Sequence, residues 1–384
     1  MRFTPHLLAA AALALLSGCS TLSSLNPFSS APKGPQPAAL VEIKPSLSVR
    51  TAWTYAIGKS ELYDFTPTVY NGSVLVGAAD GALARLNLAD GKPLWKTRIE
   101  GGLSSAAATD GSVIAVGLPK GQLQVLDMEG KPLWKAQLSS EVLSAPVVEQ
   151  GMVIVRSLDN RIAGFDVKTG ERKWLVQRPI PPLTLRNAPG MVVNGKEVIV
   201  AQPGGKMSAL LIATGGPRWE ANVGEAKGAT ELDRVTDVGG RPVVVERDVC
   251  AATYQGRVAC FDTGTGVSRW SKELSSEVGV AADQRFVFAA DDKGAVVAYF
   301  RDSGASAWKT DKLAYRRLSA PASIGRAVAV GDYQGYVHFL AREEGNLLAR
   351  EKTDGSPVVG TPVVAGSTLI VQTQNGTVSA ITVE

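Results

Sequence analysis

The sequence has few histidines, and this limits the chemistry available to the chain. It contains two, and only His338 lies outside the N-terminal 18 residues. A metal site built from several histidines is therefore excluded beyond that segment, and a Ser-His-Asp triad would depend on His338, which has no nucleophile motif near it. His338 occurs in GYVHFLA, a strand-like stretch, where we expect a packed or half-exposed strand residue.

Runs of one charge are also missing. The chain has 40 Lys and Arg residues against 36 Asp and Glu, a formal net charge of +4. No basic cluster of the kind that binds nucleic acid is present, and there is no acidic tail. The composition therefore does not indicate a polyanionic partner.

The apolar run Leu7 to Leu16 is too short to span a bilayer but has the length of the apolar region of a secretory signal. It ends in LSGC, which resembles the lipobox of bacterial lipoproteins. That resemblance implies cleavage before Cys19 and acylation of its thiol and new amino terminus. An ordinary secretory signal that contains Cys19 by coincidence is the alternative. In the enterobacterial sorting rule Asp after the cysteine means retention at the inner membrane, so Ser20 favours the outer membrane.

The chain that follows is rich in Ser and Pro up to residue 48 and has little apolar periodicity. We therefore predict a signal peptide at 1–18, a lipidated N terminus and flexible tether at 19–48, and one folded unit at 49–384. A fold made of repeats allows so long a segment to form a single unit.

The pentapeptide GKPLW occurs at 91–95 and again at 130–134, and it marks an internal repeat. All seven tryptophans occupy the same place in this repeat: Trp53, Trp95, Trp134, Trp174, Trp219, Trp270 and Trp308. A glycine precedes all of them but Trp53 by four residues. One further copy, EEGNLLARE, carries Ala349 in the tryptophan position.

Each repeat reads as four short strands separated by glycine turns, a pattern typical of a β-propeller blade. The last repeat stops before a tryptophan strand, whereas the first tryptophan strand stands alone at residues 50–58. Joining these two ends in one blade would close the ring and remove the exposed sheet edges. The sequence thus predicts an all-β, eight-bladed propeller of four-stranded antiparallel blades, closed by an N-terminal strand.

Repeats such as FDVKTGERKW resemble the quinoprotein-type propeller repeat of pyrroloquinoline quinone enzymes. Together with the lipobox, the tether and little beyond eight blades, they resemble the BamB family, the lipoprotein propellers of the outer-membrane β-barrel assembly machinery. The resemblance implies a scaffold without catalysis or cofactor, anchored at the periplasmic face of the outer membrane. Its implied partner is the barrel-forming subunit BamA, bound through periplasmic POTRA domains to assist insertion of β-barrel proteins. Direct contact with unfolded outer-membrane proteins stays open.

The same resemblance places a partner site in PPLTLRNAP, where the family carries a Leu-x-Leu-Arg connector. It implies partner contacts by Leu183, Leu185 and Arg186, with acidic residues in the connector 224–240. Of the family's two acidic positions this chain keeps Asp237 but has Gly239 at the other. Because the two connectors flank one blade, we predict that they form one patch. Alternatively, the leucines cover the blade edge and Arg186 caps a carbonyl or pairs with Asp237.

Two other function classes remain to be compared with the scaffold. A quinone-dependent periplasmic dehydrogenase would use the same blades, but such enzymes are usually much longer and many carry a vicinal cysteine pair. A ligand-binding propeller for sugars would need aromatic residues in the loops at the channel, and the candidates Tyr254, Tyr315 and Tyr333 are scattered. The residues therefore favour the scaffold.

Cys250 and Cys260 lie on the two arms of one predicted hairpin. If the turn centres on Gln255 they stand opposite each other, whereas a shift of one residue puts them on different faces. A disulfide and a pair of free thiols packed as small apolar residues both fit the sequence.

Overall fold

The computed structural model describes residues 34–187 and 189–384, so Cys19 and the predicted signal peptide lie outside the described residues. The chain divides into two compact units, residues 1–37 and Ala38–Glu384. In the first unit, residues 34–37 have no regular secondary structure. In the described segments, no helix has the length and apolar character needed to cross a membrane.

The second unit consists of β-strands arranged in eight four-stranded sheets, which are the blades. The N-terminal strand is β1 (Val49–Ala56). Blade 1 contains β2 (Thr68–Tyr70), β3 (Ser73–Gly77), β4 (Ala82–Asn87) and β5 (Pro93–Arg98). Blade 2 contains β6 (Ala108–Thr109), β7 (Ile114–Leu118), β8 (Gln122–Leu126) and β9 (Pro132–Gln137). Blade 3 contains β10 (Val147–Glu149), β11 (Met152–Arg156), β12 (Arg161–Asp166) and β13 (Arg172–Gln177). Blade 4 contains β14 (Met191–Asn194), β15 (Glu197–Gln202), β16 (Lys206–Leu211) and β17 (Pro217–Asn222).

The remaining blades follow in the same order along the chain. Blade 5 contains β18 (Val238–Val245), β19 (Asp248–Thr253), β20 (Arg257–Asp262) and β21 (Ser268–Glu273). Blade 6 contains β22 (Val280–Ala282), β23 (Phe286–Ala290), β24 (Val296–Phe300) and β25 (Ser306–Thr310). Blade 7 contains β26 (Ala322–Ile324), β27 (Ala327–Gly331), β28 (Tyr336–Ala341) and β29 (Leu347–Lys352). Blade 8 contains β30 (Val358–Ala365), β31 (Thr368–Thr373) and β32 (Thr377–Val383), completed by β1.

The two ends of the chain pair in blade 8, where β1 runs antiparallel to β32 and Val49 lies opposite Val383. The N–H of Glu384 donates to the carbonyl of Ser48 at 2.9 Å beyond the last strand pair. This pairing confirms the predicted eight-bladed propeller and its closure by the N-terminal strand. It also covers the outer edge of β32 with a partner strand. In an open sheet that edge would be exposed.

The second and third strands of each blade form the core. In β3 (SVLVG) and β7 (IAVGL) every residue is buried, because both faces of these strands pack against neighbouring blades. The fourth strands instead alternate, as in β5 (PLWKTR), where the charged side chains face solvent. The position of a strand in its blade thus explains its sequence pattern. The inner strands are continuously apolar, whereas the fourth, outer strands alternate between apolar and polar residues.

The tryptophans join each blade to the next. In blade 3, Trp134 of the preceding blade packs on Gly170, which has a φ of 71°, in the turn between the third and fourth strands. A Cβ at Gly170 would come within 2.7 Å of the indole, so glycine is required both for the turn and for the contact. The indole N–H of Trp134 donates to the carbonyl of Val167 at 2.9 Å. The tryptophans therefore pack between neighbouring blades and have a structural role.

The exception, Ala349, lies beside the point where the chain ends meet. Its tryptophan would pack on the turn between the third and fourth strands of blade 8, but these strands are β32 and β1, which no turn connects. Leu47 fills this region and shares one apolar cluster with Ala349 and Val383. The missing tryptophan is therefore a consequence of the ring closure.

The segment before β1 lies along blade 7. The N–H of Ala38 donates to the carbonyl of Ala314 at 2.8 Å, and the N–H of Ser46 donates to the carbonyl of Leu348 at 2.9 Å. Arg316 donates to the carbonyl of Ala38 at 2.9 Å. The compact unit thus begins at Ala38, eleven residues before the boundary predicted from the sequence at residue 49.

Candidate partner-binding site

One face of the ring carries the connectors between blades. Because successive strands are antiparallel, this connector face also carries the turn between the second and third strands of every blade. The third connector (178–190) and the fourth connector (223–237) flank blade 4 and are the two that the sequence singled out. Both contain the predicted site residues.

Asp237 joins these two connectors. Its carboxylate accepts the N–H of Leu185 at 2.5 Å and the N–H of Gly204, in the turn between β15 and β16, at 2.8 Å. The side chain is 1% exposed. The prediction that the connectors meet is therefore correct. Asp237 does not offer its carboxylate to solvent, and it fixes the position of the third connector.

A buried arginine faces Asp237. Arg156, at the end of β11, is 3% exposed, and burial lowers its pKa to about 10 while the charge of Asp237 opposes that effect. Burial raises the pKa of Asp237 above its ordinary value, although the two N–H donors and the charge of Arg156 each act to lower it. Among the described residues, Nε and Nη1 of Arg156 have no hydrogen-bond partner. Sequence reasoning missed Arg156, although a charge at the end of the apolar strand MVIVR was a visible signal.

The two leucines of the third connector differ in exposure. Leu183 is 43% exposed, whereas Leu185, next to the N–H held by Asp237, is half-buried. Asn160 of blade 3 donates to the carbonyl of Pro179 at 2.9 Å and holds the start of the connector. The loop is thus bonded at both ends and presents Leu183 to solvent.

Arg186 pairs with a different acid from the one considered in the sequence. Its Nη2 donates to Glu141 at 2.9 Å, in the connector between blades 2 and 3, and its guanidinium lies 5.7 Å from the ring centroid of Tyr63. The hydroxyl of Tyr63 donates to Glu141 at 3.1 Å. The alternative that Arg186 pairs with Asp237 is therefore wrong, because Asp237 is engaged by backbone N–H groups.

Gly239 stands where the family pattern has its second acidic residue. A Cβ at this position would come within 2.6 Å of the backbone of Glu277 in the next connector. Any larger residue would require that connector to move. In this chain the position therefore cannot carry a carboxylate without rearrangement.

His338 is fully buried and belongs to the core of blade 7. Its Nε2 lies 2.8 Å from Asp332, and Arg350 donates to its Nδ1 at 3.2 Å. Arg316 donates to the same Asp332 at 2.7 Å. Within residues 34–187 and 189–384, no group of three or more His, Cys, Asp or Glu residues is arranged to hold a metal.

Cys250 and Cys260 stand directly opposite each other on β19 and β20, as the register centred on Gln255 requires. Their Cα atoms are 4.1 Å apart, and the structure joins them as a disulfide. Both side chains are buried in the cluster between blades 5 and 6.

Comparison with known proteins gives a consistent result. A family model described as outer membrane protein assembly factor BamB matches residues 79–310. BamB of Bordetella pertussis is 42% identical over 94% of both chains, and BamB of Burkholderia pseudomallei is 40% identical over 98% of this chain and 97% of its own. The crystal structure of BamB from Moraxella catarrhalis has a TM-score of 0.80 at 27% identity, covering 87% of this chain and 100% of that one.

A quinohemoprotein alcohol dehydrogenase from Pseudomonas putida HK5 matches with a TM-score of 0.67 at 13% identity, over 87% of this chain and 76% of that one, and shares the fold alone. Fold and blade contacts define an eight-bladed propeller of the quinoprotein type, with tryptophans between its blades. Within that class, the chain belongs to the family of the outer membrane protein assembly factor BamB.

Proposed function

We propose that this chain is a non-catalytic scaffold of the outer-membrane β-barrel assembly complex that binds the POTRA domains of a BamA-like barrel-forming subunit. The observation that carries this proposal is the third connector, which presents Leu183 and Arg186 on a loop held in place by Asp237 and Glu141. Family membership supplies the assembly role, and the loop supplies a surface for a protein partner.

The loop is suited to binding because it is already ordered. Association costs free energy when side chains and loops must be immobilised, and a loop fixed in advance avoids much of that cost. An exposed apolar residue beside an arginine whose guanidinium lies near an aromatic ring is a composition typical of an interface centre. Leu183 and Arg186 provide such a centre here.

The anchor is the second part of the proposal. Cys19 would carry the lipid that holds the ring at the periplasmic face of the outer membrane, after removal of residues 1–18. The support is the motif LSGC at the end of an apolar run of signal-peptide length. Several acyl chains at one residue would give stable attachment.

Binding of purified POTRA domains to the full-length lipoprotein in detergent tests the partner. Arg186→Glu should weaken binding by about tenfold or more, because loss of an interface arginine commonly costs at least that much. Leu183→Ala should act in the same direction. Both residues are surface-exposed, so the melting temperature should stay nearly constant.

Lys131→Glu is the matched control, since it reverses an exposed positive charge in a turn on the opposite face of the ring. Equal binding by wild type and all three variants would show that the site is misplaced. Absence of binding by the wild type, or quinone-dependent turnover by the purified protein, would contradict the proposed function itself.

A further inference from the structure

The closing connector (57–67), between blades 8 and 1, carries a residue that the fold does not need. Leu62 is 83% exposed, the largest value for a large apolar residue in the described chain. The preceding residue, Glu61, has a φ of 52°, in the left-handed region that residues other than glycine seldom adopt. A strained turn that holds a leucine in solvent indicates a function outside the ring.

This connector is joined to the third connector through one cluster of side chains. Tyr63, next to Leu62, lies under the guanidinium of Arg186 and donates to Glu141, which pairs with Arg186. The backbone of Glu141 is fixed by the N–H of Leu158, which donates to its carbonyl at 2.8 Å. Three connectors, from three different blade junctions, therefore meet at Arg186.

We propose that the partner surface extends from Leu183 and Arg186 to Leu62 of the closing connector, and that the same POTRA domains occupy it. This inference rests on the proposed function. Continuity supports one occupant, because the guanidinium of Arg186 lies against Tyr63, the chain neighbour of Leu62, and Leu183 precedes Arg186 by three residues in the third connector. A partner that contacts Arg186 therefore lies next to the connector that carries Leu62.

The residues of this surface have different roles. Leu62 contacts the partner directly and contributes apolar area. Tyr63 and Glu141 are positioning residues, since they hold the guanidinium of Arg186 in one orientation. An arginine side chain has many rotamers, so fixing it before binding lowers the entropy lost in the complex.

The contact is tested by Leu62→Asp, with Leu133→Asp as the matched control. Leu133 is also exposed, at 53%, but is the second residue of the outer strand β9, beside the opposite face of the ring. With the full-length lipoprotein and purified POTRA domains, we expect Leu62→Asp to weaken binding by about tenfold, as for an interface hot spot. Leu133→Asp should bind like the wild type, and both variants should keep the wild-type melting temperature.

The positioning role is tested by a double-mutant cycle. Glu141→Gln should weaken binding by about threefold to tenfold when Arg186 is present and have no further effect in an Arg186→Ala background. Tyr63→Leu should behave in the same way. A purely structural role would instead lower binding equally in both backgrounds.

The outcomes separate this inference from the proposed function. If the wild type binds, Arg186→Glu is impaired and Leu62→Asp matches Leu133→Asp, the extension is wrong and the proposed function stands. Additive effects in the cycle would overturn the positioning role. If the wild type itself fails to bind POTRA domains, both the proposed function and the extension of the surface are wrong.

Discussion

The carboxylate of Asp237 accepts the backbone N–H of Leu185, a residue 52 positions earlier in the chain, at 2.5 Å. This bond fixes the third connector against the fourth. The acid that looks like a surface contact in the sequence is thus buried, and its influence on a partner passes through the loop that it holds. Arg156 provides the nearby positive charge that favours the ionised form of Asp237.

Asp237→Asn should loosen the third connector. An amide has one acceptor oxygen, so one of the N–H groups of Leu185 and Gly204 loses its partner, and Arg156 loses the opposing charge. We expect the free energy of unfolding to fall by about 1–3 kcal/mol and the amide of Leu185 to exchange faster with solvent. Denaturant unfolding and hydrogen exchange measure the two effects.

Asp233→Asn is the control for this change. Asp233 is an exposed aspartate in the same connector whose side chain accepts hydrogen bonds within its own turn, from Thr230 among others. Protection of the Leu185 amide should be unchanged in this variant. Equal protection in Asp237→Asn would mean that the bond seen in the structure does not order the loop.

Ala349→Trp should destabilise the ring even though it restores the repeat pattern. Ala349 is 1% exposed, and Leu47 and Val383 already occupy the neighbouring space. Forcing an indole into a packed core typically costs 1–3 kcal/mol. Denaturant unfolding provides the measurement, with Trp308→Ala as the reference, for which we expect a loss of about 3–5 kcal/mol. Increased stability of Ala349→Trp would contradict the packing described at the ring closure.

His338 should make the ring sensitive to mild acid. Burial lowers the pKa of His338 below its ordinary value of 6.5, although Asp332 opposes this and Arg350 and Arg316 reinforce it. The unfolded state therefore takes up a proton first, so the stability from this group is complete above pH 6.5 and declines as the pH falls towards the folded pKa.

Burial raises the pKa of Asp332, but the hydrogen bond and charge of His338 and the hydrogen bonds from Tyr336 and Arg316 together lower it below its ordinary value of 3.8. The stability that Asp332 contributes is therefore lost only when the pH falls below about 3.8. His338→Gln should consequently lose less stability than the wild type between pH 7.5 and pH 5, as measured by denaturant unfolding. Parallel pH profiles for the two proteins would exclude His338 as the sensitive group.

Cys250 and Cys260 should be joined in the native protein, because the proposed periplasmic location is an oxidising compartment. Alkylation of the denatured, unreduced protein should label neither residue in mass spectrometry. Replacing both by alanine should lower the free energy of unfolding by about 2–3 kcal/mol, because the unfolded chain regains the conformational entropy that the disulfide removes by closing a loop with a sequence separation of 10. Labelling of both thiols before reduction would show that they are free.

Cys19→Ala should release the protein from washed membranes without unfolding the ring. The expected physical cause is loss of the proposed acyl chains at Cys19, which would anchor the protein independently of the propeller. Membrane fractionation with immunoblotting detects the release, and Ser20→Ala serves as a neighbouring control that keeps the cysteine. Retention of unlipidated Cys19→Ala in the membrane fraction would show that protein contacts dominate attachment.

The sequence by itself determined the blades, their number and the closure of the ring. These features depend on contacts within one repeat and between adjacent repeats, such as Trp134 on Gly170, and each contact recurs with the repeat. The periodic pattern therefore indicated the structure of a blade several times along the chain, once in each repeat. The long third and fourth connectors were visible for the same reason, because they interrupt the spacing of the tryptophans.

Only the tertiary structure decided how the site is assembled. Glu141 and Arg186 are 45 residues apart, and Tyr63 and Glu141 are 78 apart, yet they meet because three connectors converge on one face of the ring. No local pattern marks such a contact, since connectors lack periodicity and their side chains pair according to the distances that the ring imposes. The burial of Asp237 and Arg156 has the same origin, because the fourth connector and the end of β11 must pack together before either charged group is removed from water.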